Sequence, residues 1–362
     1  INSATYMTFL YIDNAGVSGQ LALQPSNTST SNCMTGLARL RLLADTLIER
    51  IENRIDFDDT EEHMLLKNEG LFHGYFFGAV ARYFWASYWS LEPGDGGGGV
   101  ISSGPYIPAD QLYRDAMELL DKASEYATPY RDKLINAMKA RIMFFTGRYS
   151  EANTYLNNAL TAGDADYEAL FSTEVDNWWG VYSGRVRTQF HAADRFGDYV
   201  YDEPAEAERI PVYYVKGSRQ TVTYDKDTVI AGHPYKADET SNIFYVQQDK
   251  YPERSSSMKF LTWQEVVLMK AEIAIRNGDN SGGLALINEV RASHGLDAIT
   301  DDEIQNDGND YLEVLISERD KELCFTGIRL IDQRRFDKWH LEYESWKRLP
   351  ISQSEREANP YL

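Results

Sequence analysis

Apolar residues recur at helical spacing in two long blocks of the chain, about residues 36–170 and 259–345. A stretch of different texture, about 171–258, separates them. In GLARLRLLADTLIERIEN, Leu40, Leu43, Leu47 and Ile51 stand three and four apart, which predicts a helix with one apolar stripe facing a core. The next segment, MLLKNEGLFHGYFFGAVARYFWASYW, is apolar on most sides and predicts a buried helix, with Trp85 and Trp89 in its core. EPGDGGGGVISSGPYIP breaks the pattern with glycine and proline and reads as a long loop. PADQLYRDAMELLDKASEYA restores it, with Asp110 as the expected N-cap.

Farther along, Ala140, Phe144, Gly147, Tyr149, Ala152, Tyr155 and Ala159 fit the turn and flanks of a tetratricopeptide helical hairpin. Small residues let two helices approach, glycine makes the turn and aromatics wedge the pair against its neighbour. A related pattern returns with Ala271 before a turn at Gly278 and Ala285 after it, and Trp263 on its first helix reads as core. The two hairpins are far apart in sequence, so no uniform solenoid is expected.

The middle stretch mixes short β-prone runs with Gly, Pro and Asp turns, as in RIPVYYVKGSRQTVTYDKDTVIAGHPYK. An irregular insert in a stiff helical frame is where functional loops are carried. Within it, DNWWGVYSGR sets Trp178 beside Trp179 in a stretch that suits neither a good helix nor a good strand. Adjacent side chains point to opposite faces of a strand and diverge by about 100° on a helix, so a single packing surface buries at most one of them.

Composition narrows the partners. The 362 residues carry a net charge of −20, which repels nucleic acid and anionic lipid headgroups. Aromatic content is 13%, with 24 Tyr and 7 Trp, and such side chains favour binding surfaces as well as cores. Cys33 and Cys324 form no disulfide framework and no zinc-ligand spacing, and the six histidines show no HExxH pattern. GDGGGGV lacks the Lys and Ser/Thr of a phosphate-binding loop, and DDEIQNDGND lacks the order of an EF-hand. No apolar run reaches the roughly 18 residues of a membrane span. The chain opens on INSATYMTFLY, which reads as a trimmed start; an anchor would precede it.

Sugars present C–H faces that stack on aromatic rings, and their hydroxyls need short polar neighbours. The doublet segment supplies both: Trp178, Trp179 and Tyr182 for stacking, and Asp176, Asn177 and Arg185 for hydrogen bonds. Tyr213 and Tyr214 in PVYYVKG and Tyr235 in GHPYK are further candidates; strand alternation puts one of the first two inward.

Four ordered stretches then carry a resemblance. Glu265, Leu268, Ala271 and Glu272 form one motif, and Ala285, Ile287, Asn288, Val290 and Arg291 a second. Glu318, Arg319, Glu322, Leu323, Phe325, Gly327, Arg329, Asp332 and Arg335 form a third, and Leu349, Pro350, Ile351, Glu355, Asn359 and Pro360 close the chain. In that order they resemble the C-terminal blocks of the SusD/RagB family, with Thr326, Gln333 and Ser352 departing from its usual residues. The resemblance implies a single mainly α SusD-like domain over 1–362, with four tetratricopeptide-like hairpins and an irregular loop and short-strand subdomain packed against them. It implies a lipid-anchored, cell-surface glycan-binding protein of the bacterial outer membrane that is not an enzyme; no cofactor or metal site is read from the residues, and the acidic clusters leave a surface calcium ion open. Such a protein delivers oligosaccharides to a SusC-like TonB-dependent transporter; the alternative is a peptide- or protein-binding RagB-like scaffold working with one. By the same resemblance the early polar loop LALQPSNTSTSNCMTG adds Asn27 and Asn32 as ligand contacts. The charges of the third motif read as ion pairs tying the last hairpin to its neighbours.

Overall fold

The computed structural model describes residues 25–26, 28–92, 94–183, 192–218, 221–224, 244–308, 310–337 and 347–362. The chain is mainly helical and forms two compact units: Ile1–Leu160 with Leu330–Leu362, and Thr161–Arg329.

The first unit begins with α1 (Thr28–Asn53) and α2 (Glu61–Tyr88), where Thr60 caps α2 by accepting from His63 N. Two expectations shift here. Of the predicted stripe α1 buries only Ile51, alongside Met34, Leu37 and Ala44; Leu40 is half-buried, and Leu43 and Leu47 face solvent. α2 is buried only from Leu71 onward, with Met64, Leu65 and Leu66 exposed on its first turns. Trp85 and Trp89 do enter the core, with Val100, Leu112 and Ile351 around them.

After β1 (Trp89–Ser90), the glycine-rich segment is partly ordered into the antiparallel pair β2 (Gly98–Val100) and β3 (Tyr106–Pro108). Asp95 organises it: one carboxylate accepts from the backbone N–H of Leu91, Glu92 and Gly97 and from the Tyr106 hydroxyl. The loop expectation missed this because a single Asp, not periodicity, supplies the order. α3 (Ala109–Ser124) starts after Pro108 with no side-chain cap; Asp110 sits in its first turn, where a carboxylate favours the positive end of the helix. α4 (Pro129–Phe145) and α5 (Tyr149–Leu156) form the first predicted hairpin, turning at Gly147 (φ +77) with Ala140, Phe144, Ala152 and Ala159 buried.

The second unit contains β4 (Tyr167–Ala169), α6 (Trp178–Ser183), α7 (Asp194–Asp202) and a 3-10 turn at Pro204–Glu208. β5 (Val212–Ser218), β6 (Thr221–Tyr224) and β7 (Phe244–Gln248) make an antiparallel sheet in the order β6-β5-β7, while β8 (Met258–Leu261) pairs with β4. α8 (Trp263–Arg276) and α9 (Asn280–Ser293) form the second predicted hairpin around Gly278. Ala271 is buried as expected and Trp263 packs on the same core, but Ala285 is exposed, and Gly283 instead meets Ala271 and Ile275. α10 (Asp301–Asn306) and α11 (Tyr311–Glu322) follow.

α11 anchors a buried ion network. The Glu318 carboxylate, 2% exposed, accepts from Arg209 (2.7 Å), Arg291 (3.0 Å) and Lys321 (3.3 Å). Arg209 also holds Glu206 at 2.6 Å, Arg291 holds Glu203 at 2.8 Å, and Glu322 meets His294 at 2.8 Å. Asp320 receives Arg195, Tyr199 and Arg329. The third motif is therefore a set of ion pairs, joined by partners from α9 and the 3-10 turn.

This network sets a pH dependence. Burial opposes ionisation of Glu206 and Glu322, but Arg209 and Lys321 at the first, and His294 with Lys250 at the second, outweigh it and hold both pKa values below 4.5. Depressed carboxylates contribute stability above the unfolded-state value and lose it as pH falls through the folded one. The urea midpoint should thus stay flat from pH 7 to about 5 and fall below about 4.5; a midpoint still flat at about pH 3 would contradict the assignment.

The chain ends in the first unit with α12 (Arg329–Phe336, entered from the second unit), β9 (Leu349–Pro350), parallel to β1, and α13 (Gln353–Ala358). Ser352, where the family has proline, caps α13 by accepting from Glu355 N, and Asn359 donates to Gly104 O.

Candidate functional site

The doublet segment is helical, contrary to expectation. α6 is only six residues long, too short for periodicity to reveal, and one side chain starts it. Asn177 Oδ1 accepts from the N–H groups of Trp179 (3.0 Å) and Gly180 (3.1 Å), satisfying two of the donors that a helix leaves open. The same side chain donates through Nδ2 to Ser256 O at 2.7 Å, and Asn177 N donates to Arg254 O at 2.7 Å.

The far side of α6 is equally fixed. A Cβ on Gly180 would run into the carbonyl oxygen of Glu253, so only glycine lets α6 lie on the 251–256 loop. Ser183 Oγ donates to Trp179 O, Gln247 donates to Ser183 O, and Gln248 donates to Ser183 Oγ. Asn177 is thus 1% exposed with both amide atoms committed within the chain. This corrects its assignment as a ligand contact: it positions the helix. Asn177→Ala should cost about 1–2 kcal/mol of stability through the lost cap; an unchanged urea midpoint would refute that role.

The two indoles diverge as the geometry of adjacent residues demands. Trp179 is half-buried, with its ring centroid 6.0 Å from that of Phe325, which in turn lies 4.9 Å from Phe196. Trp178 is 51% exposed. Val175 and Leu170, which precede α6 in the chain, are also exposed, and Asp176 pairs with Arg254 at 3.2 Å. A large aromatic face held out to solvent on a rigid base, beside a carboxylate–guanidinium pair, can stack on a ring's C–H face and hydrogen-bond its hydroxyls.

The other sequence candidates distribute differently. Tyr213 on β5 is 2% exposed, so it is the inward member of its pair and offers no ledge; this corrects its assignment as a ligand contact. Tyr182 and Tyr214 lie on α6 and β5, but their side chains, like Arg185, Tyr235 and Asn27, lie outside the described residues. Asn32 is exposed, but within α1 of the first unit and not in a loop. Arg254, Val175 and Leu170 were not found from sequence; the turn signals around PERSSS mark only a loop.

Two cavities compete with the ledge. One, about 540 Å³, lies between α3, α4 and α5 over Tyr113, Met117, Met143 and Tyr155. The other, about 680 Å³, is rimmed by carboxylates of α10 and α11 and has no aromatic ring in its lining. Among the described residues, no helix is long and apolar enough to cross a membrane.

Several solved structures share this fold. A SusD superfamily protein from Bacteroides vulgatus is 14% identical with a TM-score of 0.66, over 93% of this chain and 85% of its own. A SusD-like carbohydrate binding protein from the same species is 13% identical with a TM-score of 0.59, over 88% and 80%. Surface glycan-binding protein A from Bacteroides uniformis is 15% identical with a TM-score of 0.62, over 99% and 88%. At such identities the likeness establishes the fold alone. No curated protein matches the chain in sequence. The family model described as the SusD family matches residues 182–362, beginning just after the tryptophan doublet. Since that match spans half of the sequence and includes all four C-terminal motifs, the chain belongs to the SusD family.

Proposed function

We propose that this protein binds glycans at the cell surface and passes oligosaccharides to a SusC-like TonB-dependent transporter, held by a lipid anchor at the outer membrane. The observation that carries the binding step is Trp178, half exposed on a helix whose every end is tied down. Family membership supports the remainder, as do similar folds described as carbohydrate or glycan binding. The protein binds its ligand without transforming it. Binding is modest in strength, because a shallow site leaves many sugar hydroxyls in water. Affinity electrophoresis against a polysaccharide panel tests the reading: retardation by at least one glycan supports it, and free migration through all of them refutes it.

A second reading, a RagB-like or helical scaffold that binds peptides, is favoured by the groove between α3, α4 and α5. Its floor of Tyr113, Met117, Met143 and Tyr155 suits an extended chain. Peptide binding without glycan retardation would select it.

A further inference from the structure

The apolar face of α1 is broader than the part the fold covers. On the packed side, Ile48 and Ile51 reach Gly74 and Gly70 of α2, and Met34, Leu37 and Ala44 continue that face. On the adjoining flank, Leu43 is 70% exposed and Leu47 37%. Arg39 and Arg50 bracket these leucines, both exposed and neither paired with a carboxylate among the described residues. Residues 39, 43, 47 and 50 follow at steps of four, four and three, so they share one helix face about 16 Å long. On a chain of net charge −20, two guanidiniums unpaired among the described residues thus flank the exposed leucines.

We propose that this face of α1 is a docking surface for an amphipathic helix of a partner protein whose apolar stripe is bracketed by carboxylates. Leucines on both helices would interdigitate as ridges into grooves, and the carboxylates would meet Arg39 and Arg50. A second copy of the same face fits poorly, since antiparallel pairing brings Arg39 against Arg50 and parallel pairing sets each against itself. An anionic lipid surface fits poorly too. A broad membrane would also meet Asp56, Asp58, Asp59, Glu61 and Glu62 in the turn into α2, at the same end of the hairpin as Arg50, whereas a single partner helix can lie along residues 39–50 and stop short of that turn. The inference goes beyond glycan binding and does not depend on it.

Fluorescence anisotropy with the full chain tests it. The probes are two labelled helical peptides of about 18 residues, each with a leucine stripe, one bracketed by glutamates and one by lysines. The glutamate peptide should bind at least tenfold tighter than the lysine peptide. An Arg39→Glu/Arg50→Glu variant should reverse that order. Leu43→Ser should weaken binding at least tenfold with a nearly unchanged melting curve, since that side chain is 70% exposed, and Leu43→Ser/Leu47→Ser should abolish binding while the protein still melts cooperatively. Equal binding of the two peptides, no binding of the glutamate peptide, or binding that survives the leucine changes would overturn the proposal. So would concentration-dependent dimerisation through this face, or partition of the protein onto phosphatidylglycerol vesicles that the leucine changes abolish.

Discussion

Trp178→Ala should weaken glycan binding at least tenfold while leaving the fold intact. Half of this indole faces solvent, so its removal creates no cavity, and exposed substitutions of this kind stay within about 0.5 kcal/mol in stability. Covering about 100 Å² of apolar ring with a sugar face contributes about 2.5 kcal/mol, with a further increment from stacking geometry. Even half of that corresponds to roughly tenfold in affinity. Trp179→Ala should behave in the opposite way. Its ring packs on Phe325, so the loss should appear first in thermal stability and reach the ligand only through α6. Calorimetric titration of both variants with a retained glycan, beside their melting curves, separates the two roles. Full affinity in Trp178→Ala would remove the ledge from the binding site.

Glu318→Ala should be the most destabilising single change in the second unit, by about 3–5 kcal/mol. This carboxylate takes Arg209, Arg291 and Lys321 together, and its loss leaves them to the neighbouring glutamates, with Arg209 1% exposed at its side chain. A buried ion network is not by itself a large source of stability, because desolvation offsets much of the attraction. Breaking one member is costly because the remaining charges cannot regain water. Against a typical domain stability of about 5–15 kcal/mol, the variant should unfold at markedly lower urea. Glu318→Gln, which keeps hydrogen-bond acceptance but not charge, should fall between. A midpoint unchanged in both would show that the network is dispensable.

The scaffold was legible in the sequence because its signature residues are interior ones. Glu265, Glu272, Glu318, Arg319 and Asp332 are all buried, so their partners fix both residue type and spacing. Helix faces were less legible. The apolar face of α1 is broad, and periodicity cannot say which part of it meets α2; the small residues Gly70 and Gly74 on the partner decide it. α6 was hidden for another reason: its order comes from one cap and from contacts with the 251–256 loop, which is distant in sequence. Asn177 directly before the aromatic pair was itself an N-cap signal, since a short polar side chain there suits a helix start as well as a sugar hydroxyl. The divergence of the two indoles needed no fold at all, only the geometry of adjacent residues.

The central claim is that a flat ring held open by a clamped short helix receives the sugar. Crystals grown with an oligosaccharide from the retarding glycan measure this directly. A pyranose ring should lie parallel to the Trp178 indole, with a hydroxyl within hydrogen-bond reach of Asp176 or Arg254. A sugar bound elsewhere, with that indole still bare to solvent, would contradict it.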